Sequence, residues 1–270
     1  MGGCGVTYTH QSNLCFESKY WQQCQDNKII IVTGGGKGIG QTLSVELAKR
    51  GSIVYCLDIK FEKIPVRLKQ IYSKKCDISN IRKFEKICKD IFKKHKKIDV
   101  LINNAGVTFP SSNNKNYSMN DWYKTIDVNL TTAFKCSKAV FEYMYKKRSG
   151  CIINITSINA ELGFPNNPHY VASKGGLKML TKALARDWGI YGIRVNNLGP
   201  GYFRTNMTKA SYSNLRKRKY RSDRTMLGRW GSVEELVGPA IFLASDASSY
   251  ITGQDLYVDG GWISNGLSDE

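Results

Sequence analysis

The sequence predicts a three-layer, doubly wound α/β fold in which a central parallel sheet of about seven strands carries helices on both faces. Two observations lead to this class. Short apolar runs alternate with amphipathic segments along most of the chain, and turn residues separate them. Alternation of this kind is typical of a parallel sheet with helical crossovers. No internal repeat or interdomain linker is evident in the 270 residues, so one domain is the simpler prediction.

The apolar runs predict the strands, and the segments between them predict the helices. Strands are expected at 28–33, 52–58, 71–76, 98–103, 150–156, 193–198 and 255–259, of which 71–76 has the weakest pattern. Helices are expected near 38–50, 80–95, 119–147, 168–190 and 232–245. The connection from Asp58 to Asp77 is short and basic, so any helix in it is abbreviated. The chain then divides into an N-terminal extension (1–27) and one domain (28–270).

Composition argues against several classes of protein. No run of about 18 apolar residues is present, and no secretory signal is evident, so we expect no membrane partner. The eight cysteines form no CxxC pair, which predicts reduced thiols and a cytoplasmic location. The net charge of +18 is spread along amphipathic stretches such as 83–97. Because no nucleic-acid-binding motif accompanies it, we expect no nucleic-acid partner.

The N-terminal extension is rich in Gly and Thr and shows weak periodicity. N-terminal acylation at Gly2 is not expected, because the acylation motif asks for Ser or Thr where this chain has Val6. No metal is expected, because the potential ligands match no compact zinc spacing: Cys4, His10, Cys15 and Cys24. We expect the extension to pack on the domain or on a neighbouring subunit.

A glycine-rich turn indicates a dinucleotide cofactor. Thr33-Gly-Gly-Gly-Lys-Gly-Ile-Gly40 follows the apolar run 29–32 and precedes a predicted helix. Glycines there let the backbone approach a pyrophosphate, and the helix N-terminus favours its charge. Asp58 ends the second strand, where a carboxylate can accept the ribose hydroxyls and repel a 2′-phosphate. NAD is therefore the expected cofactor, and NADP is the alternative because Lys37 and Lys60 can attract that phosphate.

Tyr170 and Lys174 stand four residues apart in a predicted helix, so their side chains project from one face. An ammonium beside a phenol favours the phenolate and lowers the phenol's pKa toward neutrality. Tyr170 is therefore a candidate general acid and base. The spacing also arises by chance on solvated helices, and Ser157, thirteen residues before the tyrosine, favours the functional interpretation.

Several motifs follow one another in an order typical of one enzyme family: Thr33-Gly34…Gly38-Ile39-Gly40, Asp77, Asn103-Asn104-Ala105-Gly106, Asn129, Ser157, Tyr170…Lys174, Pro200-Gly201 and Asp259-Gly260-Gly261. Together they resemble the short-chain dehydrogenase/reductase family over about residues 28–262. The resemblance implies a Rossmann fold with the nicotinamide at the carboxyl ends of the strands. It also implies a homotetramer or a homodimer.

The resemblance further implies roles for individual residues. Ser157 should orient the substrate oxygen, Tyr170 should exchange a proton with it, and Lys174 should lower the Tyr170 pKa and bind the nicotinamide ribose. Asn129 should hold a water that links Lys174 to solvent. Asp77 should hold the adenine. The expected cofactor-binding residues are Gly34, Gly36, Lys37, Gly38, Ile39, Gly40, Asp58, Asp77, Ile78, Asn104, Ala105, Gly106, Tyr170, Lys174, Pro200, Gly201, Phe203 and Thr205.

Residues near 203–228 are expected to form a loop that serves as a lid over the substrate, since long loops in compact domains are often functional. The basic residues in and just after it outnumber the single acid Asp223: Arg216, Lys217, Arg218, Lys219, Arg221, Arg224 and Arg229. Such a lid favours an anionic substrate or an acidic partner. A solvated basic loop is an equal alternative.

Four further segments are similar to the gluconate 5-dehydrogenase-like (sugar-acid) branch of the family: 161–163, 200–205, 207–210 and 228–231. The expected function is NAD(P)-dependent interconversion of a secondary alcohol and a ketone on a sugar, a sugar acid or another anionic small molecule. Two alternatives stay open. One is a 3-oxoacyl-carrier-protein reductase, and the other is a non-catalytic nucleotide-sensing or nucleic-acid-binding relative.

Overall fold

A computed structural model describes residues 27–63, 68–112 and 115–266, so the predicted extension lies almost entirely outside the described residues. The strands are β1 (Ile29–Thr33), β2 (Ile53–Asp58), β3 (Ile71–Lys75), β4 (Val100–Asn103), β5 (Gly150–Ile155), β6 (Ile193–Pro200) and β7 (Asp255–Val258). They form one parallel sheet in the order β3–β2–β1–β4–β5–β6–β7. The predicted fold class and seven strands are confirmed, and each strand end lies within two residues of its predicted position.

The helices cover both faces of this sheet. Their bounds are α1 (Gly38–Lys49), α2 (Ile81–His95), α3 (Met119–Ile126), α4 (Thr132–Lys147), α5 (Pro168–Trp188), α6 (Lys209–Ser213), α7 (Leu215–Asp223) and α8 (Val237–Ala244). Polar side chains start several of them. The Asn80 side chain accepts a hydrogen bond from the Lys83 N–H at α2, and Ser118 accepts one from Asp121 at α3. Among the described residues, no helix has the length and apolar character that crossing a membrane requires.

The core lies in two layers, one on each face of the sheet. β1 reads Ile-Ile-Ile-Val-Thr and is buried throughout, as a central parallel strand covered by helices must be. Ile30 and Val32 face a cluster that includes Leu43 of α1. Ile29 and Ile31 face the opposite cluster, to which α2, α4 and α5 contribute. The loops at the carboxyl ends of the strands are therefore held by a rigid base.

Two segments differ from the sequence prediction. The single helix expected over 119–147 is interrupted by a π-helical turn at Asp127–Thr131 between α3 and α4. Turns of this kind occur mostly at functional sites. The expected lid loop contains two short helices, α6 and α7, separated by Asn214, whose side chain accepts from the Lys217 N–H. Between β2 and β3, the described residues 59–63 and 68–70 contain no helix.

Candidate active site at the carboxyl ends of the strands

The turn between β1 and α1 brings backbone segments so close together that several of its positions can hold only glycine. Gly34 and Gly38 have φ angles of 63° and 54°, which L side chains rarely adopt. A Cβ on Gly40 would lie 2.2 Å from the Gly34 carbonyl oxygen, and one on Gly36 would lie 2.1 Å from that of Lys60. α1 begins without a side-chain cap, so its first N–H groups can bind an anion. This backbone cradle fits the pyrophosphate of a dinucleotide.

Asp58 fixes the shape of this turn from the end of β2. Its Oδ2 accepts the Gly36 N–H at 3.0 Å, and its Oδ1 accepts the N–H groups of Ile59 and Lys60 at 2.7 and 3.2 Å. A carboxylate has about four acceptor positions, so it can also accept a ribose hydroxyl. Lys37, at the N-cap of α1, and Lys60 are both exposed. The structure therefore contains both a carboxylate that favours NAD, from Asp58, and two exposed ammonium groups that favour NADP, from Lys37 and Lys60.

The residues after β3 take two different positions. Asp77 is exposed, and its Oδ1 accepts the N–H and the hydroxyl of Ser79 at 2.9 and 2.7 Å. Ile78 is buried and packs in the same cluster as α2, whereas Ile39 packs on the opposite face of the sheet. Asp77 therefore presents a polar side chain at the edge where the adenine is expected, whereas Ile78 and Ile39 pack in the core.

Asn104, after β4, fastens the glycine turn. Its Nδ2 donates to the carbonyl oxygens of Thr33 and Gly34 at 3.0 and 2.9 Å. The Thr33 hydroxyl in turn accepts the N–H groups of Asn104 and Ala105 at 3.1 and 3.2 Å. Thr33 and Asn104 therefore hold the loops after β1 and β4 against each other, which keeps the cradle narrow.

Asn129 lies in the π-helical turn and joins the loop after β4 to α5. Its Oδ1 accepts the Val107 N–H at 2.8 Å, and its Nδ2 donates to the Val107 carbonyl at 2.9 Å and to Ser173 Oγ at 3.0 Å. A Cβ on Gly106 would lie 3.4 Å from Asn129 Oδ1 and 3.7 Å from Lys174 Nζ. Both atoms of the Asn129 amide thus bind protein partners, and the side chain positions a loop as well as standing beside the lysine.

Ser157, Tyr170 and Lys174 meet beside this loop. Ser157 Oγ accepts the Asn159 N–H at 3.2 Å, donates to Asn159 Oδ1 at 3.3 Å, and lies close enough to the Tyr170 phenol to lower its pKa. Lys174 is 4% exposed, and its Nζ donates to the Ile155 carbonyl at 2.7 Å. The Lys174 Nζ lies 5.7 Å from the centroid of the Tyr170 ring. The four residues of the expected catalytic group therefore share one location at the carboxyl ends of β4 and β5.

The electrostatics of Tyr170 differ from the sequence expectation. Burial raises the pKa of Tyr170 to about 12, against which the Ser157 hydroxyl lowers it. Burial also lowers the pKa of Lys174 to about 8. The Lys174 ammonium donates its hydrogen bond to the Ile155 carbonyl and not to the Tyr170 phenol. Ser157 is therefore the group that lowers the Tyr170 pKa in this structure.

The segment after β6 closes the other side of the cradle. Pro200 is the last residue of β6, and the Gly201 N–H donates to β7 at 2.9 Å. Phe203 is buried and forms a bridge with the 229–232 segment. A Cβ on Gly38 would lie 3.9 Å from the Thr205 Cβ, so Thr205 faces the start of α1.

Sequence reasoning did not single out the aromatic side chains that surround this site. An aromatic wall is formed by Phe164, Tyr202, Trp230 and Trp262. Tyr202 is its centre, with ring centroids 5.0 Å from Trp262, 5.1 Å from Trp230 and 6.3 Å from Phe164. The Tyr202 phenol is close enough to Tyr170 to raise the Tyr170 pKa. The sequence gives two signals: Tyr202 and Trp262 directly follow Pro200-Gly201 and Asp259-Gly-Gly261, and Tyr202 and Trp230 lie in two of the segments similar to the sugar-acid branch.

Within the described residues, no group of three or more His, Cys, Asp or Glu side chains is arranged to hold a metal ion. The polar groups that converge at the carboxyl ends are instead a hydroxyl, a phenol, an amine and backbone N–H groups. This set suits proton transfer and dinucleotide binding.

Comparison with known proteins agrees with this geometry. A family profile described as enoyl-(acyl carrier protein) reductase matches residues 34–263. The chain is similar to the 5-keto-D-gluconate 5-reductase of Escherichia coli K12, with 34% identity over 250 residues that cover 87% of this chain and 95% of the relative. It is 36% identical over 241 residues to the 3-oxoacyl-[acyl-carrier-protein] reductase of Chlamydia pneumoniae, covering 87% of this chain and 96% of that protein.

A solved structure of a gluconate 5-dehydrogenase from Burkholderia cenocepacia, in complex with NADP and tartrate, superimposes with a TM-score of 0.83. It is 33% identical in sequence, and the match covers 90% of this chain and 98% of that chain. The fold and these relatives define the protein as an NAD(P)-dependent oxidoreductase that acts on CH–OH groups. The chain belongs to the short-chain dehydrogenase/reductase family.

Proposed function

We propose that this protein interconverts a secondary alcohol and a ketone on a sugar acid, with NAD or NADP as the cofactor and with Asn129, Ser157, Tyr170 and Lys174 as the catalytic group. The observation that carries the proposal is the convergence of the Ser157 hydroxyl, the Tyr170 phenol and the buried Lys174 amine at one site. These groups lie at the same edge of the sheet as the glycine cradle.

The chemistry assigned to the chain's own residues is proton transfer and positioning. Ser157 orients the substrate oxygen by a hydrogen bond, and Tyr170 donates a proton to that oxygen in ketone reduction or removes it in alcohol oxidation. Lys174 stabilises negative charge that develops on the phenol. The nicotinamide, when bound, supplies or accepts the hydride. The cofactor would be held by the cradle, Asp58, Asp77 and the segment 200–205.

The sugar-acid substrate class is supported by the activities for which the relatives are named and by the chemistry around the site. Relatives at 34 to 37% identity are named for 5-keto-D-gluconate reduction and gluconate oxidation. The aromatic wall supplies flat apolar surfaces on which carbon-bound hydrogens of a sugar can pack, and the adjacent α7 is strongly basic. An acid with a carbon chain bearing hydroxyl groups suits both features.

The second candidate function is 3-oxoacyl-carrier-protein reduction. The similarity to the Chlamydia pneumoniae reductase favours it. So does the exposure of Arg216 and Lys217 on α7, because an acidic carrier protein would bind to exposed cations. The two functions differ in where the anionic group sits, inside the cleft for a sugar acid and on the surface for a carrier protein.

Absorbance of NADH and NADPH at their nicotinamide band, followed with a panel of substrates, tests the proposal. The panel contains 5-keto-gluconate, other keto-acids, neutral keto-sugars and acetoacetyl thioesters. We expect turnover of the keto-acids and its loss in Tyr170→Phe, with unchanged cofactor affinity. Turnover of acetoacetyl thioesters alone would establish the second candidate. If no substrate of the panel is turned over, and both the parent protein and Tyr170→Phe bind the cofactor normally, the non-catalytic nucleotide-sensing alternative remains.

We also propose a cytoplasmic homotetramer, with a homodimer as the smaller alternative. Family resemblance and exposed apolar side chains on the long helices support this, since Phe134 of α4 and Met179 of α5 are 41% and 60% exposed. Large exposed apolar patches commonly mark interfaces. Light scattering coupled to size-exclusion chromatography measures the mass directly, and a monomer at micromolar concentration would contradict the proposal.

A further inference from the structure

Arg221 of α7 is packed against the aromatic wall next to the candidate catalytic tyrosine. Its guanidinium carbon lies 4.3 Å from the ring centroid of Tyr202 and 5.8 Å from that of Trp230. The positive charge of Arg221 lowers the Tyr202 pKa, against the larger rise that burial causes. Because the Tyr202 phenol raises the Tyr170 pKa, Arg221 contacts a side chain that lies within electrostatic range of the proton-transfer group.

One nitrogen of Arg221, Nη1, is buried and has no hydrogen-bond partner among the described residues. Buried polar groups are nearly always paired, and a charged donor that is removed from water without an acceptor is costly. An unpaired guanidinium nitrogen beside a reaction centre is a donor that a ligand can satisfy. A carboxylate is the matching acceptor, because its two oxygens fit the planar fork of arginine.

The other cations near Arg221 have ion-pair partners, are solvated, or lack a buried nitrogen without a hydrogen-bond partner. Lys219 pairs with Asp223 at 2.8 Å, and Arg229 pairs with Glu235 at 2.7 Å. Arg216 and Lys217 are exposed to solvent. Exposed charges contribute little specific binding energy. Arg218 is half-buried over the Tyr212 ring at 5.2 Å, and Arg224 lies 5.6 Å from the Trp262 ring. What distinguishes Arg221 from both is its buried nitrogen without a partner among the described residues.

We propose that Arg221, assisted by the Tyr202 hydroxyl, binds the carboxylate of the substrate and so selects sugar acids over neutral sugars. This inference rests on the proposed function, which places the substrate's reacting oxygen at Tyr170. The aromatic wall keeps water from Nη1, which strengthens the ion pair relative to one on the surface.

Arg221→Gln and Arg221→Lys test this role, with Arg216→Gln as the matched control, because it removes the same charge from the exposed face of the same helix. We expect Arg221→Gln to lower kcat/KM for a keto-acid by about 10- to 100-fold, the loss of one charge-assisted hydrogen bond. The value for the neutral keto-sugar of equal length should stay within about threefold. Arg221→Lys keeps the charge but lacks the planar fork of the guanidinium, so its kcat/KM for the keto-acid should lie between those of the parent and Arg221→Gln. Arg216→Gln should change both substrates slightly and in a salt-dependent way.

Calorimetric binding of gluconate and of tartrate to the cofactor-loaded protein separates this inference from the proposed function. If Arg221→Gln loses binding of these acids but the parent protein turns over no sugar acid, the carboxylate site is supported and the proposed function is refuted. Turnover of sugar acids with unchanged binding in Arg221→Gln would overturn the carboxylate site alone. An equal fall for acidic and neutral substrates would also overturn it. Tyr202→Phe keeps the ring that packs on Arg221 and removes only the hydroxyl. Thermal unfolding midpoints of all variants show whether a loss of binding comes from a loss of folding stability.

Discussion

Replacing Asp58 by asparagine is expected to weaken NAD binding more than NADP binding. The carboxylate accepts three backbone N–H groups, from Gly36, Ile59 and Lys60. Asparagine keeps the shape but offers one acceptor oxygen, so either the Gly36 N–H or the other two lose their partner. A hydrogen bond to a charged group contributes about 1.5 to 3 kcal/mol. We therefore expect the free energy of unfolding to fall by about that amount, through the loosened turn.

The same arithmetic applies to the cofactor. Loss of a charged acceptor for the ribose hydroxyls should weaken NAD binding by about 10- to 100-fold. NADP loses less, because the repulsion between Asp58 and its 2′-phosphate disappears, and Lys37 and Lys60 remain nearby. Tryptophan-fluorescence titration of both nucleotides measures the ratio of the two dissociation constants. Asp77→Asn is the matched control, since the adenine is common to both cofactors and both affinities should change equally. Equal losses in Asp58→Asn would refute the ribose role and leave Asp58 as a support for the turn.

Three further predictions concern the catalytic group and the cradle. Ser157→Ala removes the hydroxyl that lowers the Tyr170 pKa, so the pH profile of alcohol oxidation should move up by about half to one unit, together with a large loss of rate. Burial lowers the pKa of Lys174 from 10.5 to about 8. Burial of the charged amine therefore destabilises the folded protein fully below pH 8, and this destabilisation disappears as the pH rises toward 10.5. The difference in unfolding free energy between Lys174→Met and the parent should change by about 2 kcal/mol from pH 7.5 to 10. Gly40→Ala brings a Cβ within 2.2 Å of a backbone carbonyl and should abolish nucleotide binding, whereas Gly163→Ala, which meets nothing within 4 Å, should not.

Each of these outcomes has a direct contradiction. An unshifted pH profile in Ser157→Ala would mean that another group sets the Tyr170 pKa. A pH-independent difference for Lys174→Met, measured by urea unfolding, would mean that the amine is solvated in the folded protein. Normal nucleotide affinity in Gly40→Ala would mean that the cradle opens without cost.

The sheet and the glycine cradle could be predicted because their signals are local. The apolar run of β1, followed at once by closely spaced glycines, encodes burial and backbone freedom within about a dozen residues. The spacing of Tyr170 and Lys174 likewise depends only on helix geometry. For the same reason the seven strands were predicted within two residues of their ends.

The features that sequence reasoning missed arise from contacts between distant segments. The π-helical turn is held where Asn129 bonds Val107, 22 residues earlier, a contact that periodicity cannot reveal. The raised pKa of Tyr170 comes from burial by the whole fold. The aromatic wall joins Phe164 and Trp262, which lie on separate loops. Helices α6 and α7 are each short, so the surrounding chain and not their own propensity stabilises them.

The substrate question therefore turns on which lid charges are removed from water and not on how many there are. Exposed charges more than about 8 to 10 Å apart are largely screened at physiological salt, so Arg216 and Lys217 can attract an anion without selecting its shape. Arg221, packed on Tyr202 with a buried unpaired nitrogen, can select. A carrier protein would depend on the exposed pair, and a sugar acid would depend on Arg221. The two functions thus make opposite demands on one helix, and variants at its two faces decide between them.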